Sequence, residues 1–218
     1  ISEEGMLLQA PDTYMDKISV GHGLPENIVD LDEDVKSNIK NLARAKNKSV
    51  DEICICLLDR ERHKHFIEDI KSLGAKLKLI SDGDVAGSIF SALETSDVDM
   101  DLGIGGAPEG VLAASAIKCL GGQFQARLKI QDDDEIKRAT NLGIKDFEKK
   151  YYLNDLVKGD VIFCSSGVTD GDLVSGVKLR NKEYETETFA LHYSQKFFKK
   201  VKRKYKIWKI PLFKEKSG

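Results

Sequence analysis

Apolar positions along the chain fall into short runs that switch repeatedly between two periods. From Glu33 onward Val35, Ile39, Leu42 and Ala43 recur at helical spacing and form one stripe, with Asp32 as candidate N-cap. Residues 53–58 are then a continuous apolar run rich in β-formers, suited to a strand covered on both faces. A polar helix follows, with Phe66, Ile67, Ile70 and Leu73 on one side and Gly74 as its stop. Further strands are predicted over 77–80, 100–104 and 124–130. Helices carrying Val85, Ile89 and Leu93, and then Val111, Leu112, Ala114, Ala116 and Ile117, lie between them. This alternation implies an α/β class, a layered fold built around a sheet. Beyond Gln131 come two more helix-like stretches, a strand over 161–164, and antiparallel-type alternation over 173–177 and 185–192. Residues 10–23 read as irregular. The expected organisation is an irregular lead-in over 1–32, an α/β substrate-binding domain over 33–195, and a basic C-terminal tail over 196–218.

The totals narrow the class of molecule. With 218 residues, 41% hydrophobic and 32% charged, the chain is globular rather than disordered and can bury a core. A net charge of −2 gives no chain-wide field toward nucleic acid or membrane. No apolar run approaches the roughly 20 residues that span a bilayer. Ile1-Ser2-Glu3-Glu4-Gly5 has neither the basic start nor the apolar stretch of a signal peptide, and no Met stands at position 1. A chain that begins partway into a larger product is expected. Cys54, Cys56, Cys119 and Cys164 contain no C-x-x-C spacing and are expected to be buried reduced thiols, which suits the cytoplasm.

Three predicted strands end in polar clusters, and that is where an α/β sheet binds ligands. Asp59-Arg60-Glu61-Arg62-His63 follows the first; Arg60 and Arg62 offer forked donors that match phosphate, or form a solvated pair. Asp82-Gly83-Asp84 follows the second, where one Asp can cap a helix and the other face a sugar hydroxyl or a cation. Gly103-Ile104-Gly105-Gly106-Ala107-Pro108-Glu109-Gly110 follows the third. Its glycines let backbone approach an anion, Pro108 suits a first helical turn, and Glu109 gains an ionised carboxylate at a helix N-terminus. The segment fits neither a dinucleotide fingerprint nor a P-loop.

These clusters, together with Ala10-Pro11-Asp12-Thr13-Tyr14-Met15, Lys118-Cys119-Leu120-Gly121-Gly122 and Ala126-Arg127-Leu128, carry a resemblance. Over about residues 6 to 180 the chain resembles the bacterial class II fructose-1,6-bisphosphatases, of the lithium-sensitive sugar phosphatase superfamily. The resemblance implies removal of the 1-phosphate of fructose 1,6-bisphosphate in gluconeogenesis with Mn²⁺ or Mg²⁺. Some members of that family also act on sedoheptulose 1,7-bisphosphate. By position Tyr14, Arg60, Glu61, Arg62, Asp82, Gly83, Asp84 and Gly106 match substrate-contacting residues, and Glu109 matches a metal ligand. No catalytic residue is assigned within the chain. The family's Asp-Pro-x-Asp-Gly-Thr motif is absent, so most metal carboxylates are expected in a missing N-terminal half. The family's Thr-His-Ser stretch stands here as Thr186-Glu187-Thr188. A cytoplasmic homo-oligomer is implied, without nucleic acid or membrane as partner.

Other readings remain beside this one. The chain could grip phosphosugars without hydrolysing them. The tail, with seven Lys or Arg between 196 and 206, could contact nucleic acid or anionic lipid, although a solvated amphipathic helix or frayed end is the favoured reading. His63 and His65 read as surface residues, and no Ser-His-Asp set can be assembled.

Overall fold

The computed structural model describes residues 1–206, which form two sheets with helices between and beside them. In chain order the strands are β1 (Tyr14–Val20), β2 (Cys54–Leu58), β3 (Lys76–Ile80), β4 (Met100–Gly106), β5 (Gln123–Lys129), β6 (Lys150–Tyr152), β7 (Ile162–Ser166), β8 (Lys178–Arg180), β9 (Glu183–His192) and β10 (Phe197–Lys206). The helices are α1 (Val35–Lys46), α2 (Lys64–Ser72), α3 (Asp84–Ala92), α4 (Ala107–Leu120), α5 (Asp133–Asn141) and the single turn α6 (Leu153–Leu156). The first sheet runs β3-β2-β4-β1-β5-β6 and the second β10-β9-β7, with β8 beside β9. The α/β expectation holds.

Two apolar layers sandwich the first sheet. Ile18, Ile55, Leu57, Met100 and Leu102 meet Ile39 and Leu42 of α1 and Ile70 of α2 on one face. Met15, Phe124, Ala126 and Leu128 meet Ala107, Val111, Ala114 and Ile117 of α4 on the other. The second sheet then covers α3 and α4, with Phe163, Phe189 and Leu191 packed against Ile89 and Ala116. Because α4 is enclosed from both sides, its small apolar residues run nearly all round it rather than along one stripe. No helix among the described residues is long and apolar enough to cross a membrane.

Several expectations need correction. Residues 14–20 are not irregular: β1 lies inside the sheet, antiparallel to both β4 and β5, with Tyr14 opposite Gly106 and Lys129. Its polar Asp16, Lys17 and Ser19 disguise a strand whose lysine is 1% exposed. The N-cap of α1 is Asp34, which accepts from the Ser37 N–H; Asp32 instead binds Arg127 and Lys150. Residues 173–177 form a loop, tied by the Ser175 N–H to Glu187 at 2.6 Å. The basic stretch is neither helical nor frayed over Phe197–Lys206, because β10 pairs along β9 and Lys200, Lys202 and Lys204 reach Glu187 and Glu185. The rest of the tail, 207–218, lies outside the described residues. Cys54 and Cys56 are buried as expected, whereas Cys119 is half-buried and Cys164 exposed.

Candidate functional site

Strands β2, β3 and β4 are mutually parallel, so their carboxyl ends share one sheet edge. The antiparallel β1 begins at that same edge, which puts Tyr14 beside the glycine-rich segment. The site is assembled there from four strands.

Directly after β2 the chain makes a tight turn over Glu61–His63. Its fixed point is Ile104 of β4, which extends beyond its pairing with β2 and therefore has free backbone groups. The Ile104 N–H donates to His63 Nε2 at 2.8 Å, and Arg62 Nε donates to the Ile104 carbonyl at 3.0 Å. The other ring nitrogen of His63, Nδ1, donates to the Leu58 carbonyl at 2.8 Å. Those partners require a neutral ring with its proton on Nδ1, and burial, ahead of the neighbouring Arg62 charge, holds the histidine below its ordinary pKa. His63 is thus no surface residue; it is fully buried and clips the β2 turn to β4. His65 lies against the Phe66 ring, with centroids 3.9 Å apart.

The clip leaves the Arg62 guanidinium 4.9 Å above the Tyr14 ring, a cation–π contact that joins two of the expected residues. Arg60 Nη1 donates to the Asp59 carbonyl at 2.9 Å, and Glu61 pairs with Lys64 at 2.6 Å, so neither side chain meets the others directly. After β3, Gly83 has φ 87° and serves as N-cap of α3, a conformation that favours glycine. Asp82 Oδ1 accepts from the Gly83 N–H at 2.8 Å. Asp82 and Gly83 also border a cleft of about 670 Å³ that the 165–174 segment closes from the far side.

Asp84 turns inward. Its Oδ1 lies 2.6 Å from Lys17 Nζ, while its Oδ2 is buried without a hydrogen-bond partner. That oxygen occupies the place a side chain at Gly105 would take. In the same way the Glu109 carboxylate leans over Gly106, in the space that a side chain there would enter. Glu109 is exposed in the first turn of α4, next to the Pro that opens the helix. An exposed carboxylate at a positive helix end is a suitable oxygen ligand for a hard divalent cation. It fits as one ligand. Among the described residues no group of three or more His, Cys, Asp or Glu is placed to hold a metal, so a full coordination sphere needs further donors.

Lys17 and Asp101 escaped sequence reasoning. A usable signal was present for one of them, because Asp101 interrupts an otherwise apolar run in β4. Burial pushes the Asp101 carboxyl up to about 6, with Lys17 opposing and Asp84 adding to the shift. The structure also brings Ser194, His192 and Asp160 together. Both Ser194 Oγ and Asp160 Oδ2 approach the same ring nitrogen, and Ser194 donates to Asp160, so the set cannot pass a proton from serine through the ring.

The comparisons with known proteins concern this same stretch. A family model described as bacterial fructose-1,6-bisphosphatase, glpX-encoded, matches residues 1–205. The chain belongs to that family. It is 38% identical over 208 residues to a fructose-1,6-bisphosphatase class 2 from Haemophilus influenzae, covering 89% of this chain and 62% of that protein. It is 36% identical over 205 residues to a D-fructose 1,6-bisphosphatase class 2/sedoheptulose 1,7-bisphosphatase from Trichodesmium erythraeum, covering 88% of this chain and 59% of the relative. A Synechocystis sp. protein with the same description matches to the same extent. The chain therefore spans about three fifths of the length of these relatives. The resemblance read from the motifs and the family match agree.

Proposed function

We propose that this chain provides the sugar-phosphate grip and one metal carboxylate of a class II fructose-1,6-bisphosphatase. The observation that carries the reading is convergence. Tyr14, the Arg60–Arg62 turn, Asp82-Gly83-Asp84, Gly106 and Glu109 come from separate parts of the chain to one sheet edge in a member of this family. The reaction is hydrolysis of the 1-phosphate of fructose 1,6-bisphosphate. Water oxygen bonds to phosphorus, the bond to the sugar oxygen breaks, and that oxygen takes a proton. Sedoheptulose 1,7-bisphosphate is a second substrate candidate, since two relatives carry it in their descriptions.

In this reading Arg60 and Arg62 hold the phosphate that stays on the sugar, as forked donors match its oxygens. Tyr14 buttresses Arg62 from below. Asp82 and Asp84 orient hydroxyls, Gly83 and Gly106 let the sugar phosphate approach the backbone, and Glu61 keeps its place in the turn between the arginines. Glu109 is one ligand to Mn²⁺ or Mg²⁺, which when bound would activate water and neutralise charge on the transferred group. Residues 33–195 would be the substrate-binding part of the protein, extended by β1, acting in the cytoplasm in gluconeogenesis as a homo-oligomer. A second reading, a module that binds phosphosugars without hydrolysis, draws support from Glu109 standing without two further ligating carboxylates among the described residues.

The test is phosphate release from fructose 1,6-bisphosphate with Mn²⁺ by the protein, compared with Glu109→Ala. The expected result is loss of turnover by about 10³-fold or more, of the size that removal of a group stabilising transition-state charge produces. Near-normal turnover in the variant would sink the ligand assignment. Binding of the sugar with no release by the unaltered protein would favour the non-catalytic module.

A further inference from the structure

We propose that Lys17 is a positioning residue of the sugar-phosphate site, holding Asp84 in place while Asp101 holds Lys17. The inference rests on the functional reading above and adds to it a residue that contacts no ligand. Lys17 is 1% exposed, and its Nζ hydrogen-bonds Asp84 while standing at ion-pair distance from Asp101. Asp84 Oδ1 lies at 2.6 Å, the Asp84 carbonyl at 3.4 Å and Asp101 Oδ2 at 3.9 Å. Asp101 is itself fully enclosed. Ser88 Oγ donates to its Oδ2 at 2.7 Å, and its Oδ1 fills the space that a side chain at Gly87 would need. A polar chain thus runs from the inner face of α3, through Ser88, Asp101 and Lys17, to the carboxylate at the site edge.

A purely structural ion pair is the plain alternative, and buried ion pairs often add little stability over apolar residues of the same shape. Two features favour the positioning role. The chain ends on a carboxylate whose second oxygen is buried yet unpartnered, the one such side-chain atom among the described residues. Buried polar atoms are normally satisfied, so an unpaired carboxylate oxygen beside the ligand edge is a candidate acceptor for an incoming donor. Gly105, moreover, vacates the space into which Lys17 draws that carboxylate. Without Lys17, the Asp84 carboxylate would face Asp101 with no cation between them and would turn away from Gly105.

The decisive experiment measures binding by calorimetry in the protein, with fructose 1,6-bisphosphate and inorganic phosphate as separate probes. Inorganic phosphate needs the arginines and not Asp84. Lys17→Met is expected to weaken the sugar bisphosphate about tenfold or more, the equivalent of losing one charge-assisted hydrogen bond, and to leave phosphate affinity within about twofold. Lys17→Arg should restore part of the sugar affinity. If Lys17→Met does not fold, the double variant K17M/D101N removes the buried cation and one buried anion together, and the same selective loss is expected. Unchanged sugar affinity in the variant overturns the inference alone. Equal loss of both probes also overturns it, since that is what a general collapse of the site would give. An unaltered protein with no affinity for the sugar bisphosphate overturns the functional reading, and this inference with it.

Discussion

Two buried aspartates at the start of β4, Asp99 and Asp101, meet lysines in opposite ways. Asp99, 2% exposed, receives Lys46 at 2.5 Å and Lys48 at 2.9 Å on one oxygen, and the Cys54 N–H at 2.9 Å on the other. Burial pushes its pKa up, but Lys46, the Cys54 N–H and Lys48 together outweigh that and hold it below the usual carboxylate value. Lys46 ends α1, Lys48 follows its C-cap, and both keep their flanks in water. Asp101 shares one wholly buried lysine with Asp84, and its pKa is pushed up to about 6. The first cluster is closed, with every oxygen used, and it fastens α1 to the sheet. The second leaves an oxygen of Asp84 buried and unpartnered, close to the edge where the site residues converge. Identical residue types two positions apart therefore do different work, and the completeness of their hydrogen bonding separates the roles.

The comparison breaks most visibly at Asp99. Asp99→Ala leaves the Cys54 N–H unpaired in the core and frees two lysines that can rehydrate. We expect a loss of about 3 kcal/mol in urea unfolding, the lower end for disrupting a buried pair. Sugar-bisphosphate affinity should not change, and a marked loss of affinity without loss of stability would reverse the assignment of the two clusters.

Acidity separates the aspartates next. The folded-state pKa of Asp101 lies above its unfolded value of 3.8, so its contribution to stability is full below pH 3.8 and is lost as pH rises toward 6. Asp99 has the opposite sign: its contribution is present above 3.8 and lost as pH falls below it. Between pH 4 and 6 the Asp101 effect amounts to roughly two pH units at about 1.4 kcal/mol each, or on the order of 3 kcal/mol at most. Local relaxation brings the expected change nearer 2 kcal/mol. Asp101→Asn should flatten that part of the stability curve and leave the acid limb below pH 4 untouched. Identical curves for the two proteins would show that Asp101 does not titrate there.

The same pair of clusters explains what the amino-acid sequence disclosed. Strands β2 to β5 and helices α1 to α4 were legible because apolar runs or stripes bounded by turn residues mark them, α1 and α2 by one stripe and β2 and α4 by apolar residues on nearly every side. The clusters after β2, β3 and β4 were legible because charged and glycine residues end apolar runs abruptly. β1 was hidden because Lys17 is buried by partners 67 and 84 residues away, a satisfaction no local window contains. His63 was misread for a similar reason, since its two partners are backbone groups of β2 and β4. In β10 the lysines are counterweights to Glu185 and Glu187, and charge alone reads as a solvated tail. Hydropathy reports burial only when burial is apolar.

The smallest expected effect tests whether the closed cluster is redundant. Lys46 and Lys48 side chains retain 26% and 39% of their exposure, so much of each ammonium's interaction with Asp99 is screened by water. Either lysine alone still leaves Asp99 with a cation and the Cys54 N–H. Lys46→Ala and Lys48→Ala should therefore each cost about 0.5–1 kcal/mol, read as a shift in the urea midpoint at constant slope. The double replacement should cost more than the sum, because only then does the buried carboxylate lose every cation. Strict additivity would mean that each lysine holds the carboxylate independently. Asp99 would then differ from Asp101 only in exposure, and the distinction between closed and open clusters would lose its energetic basis.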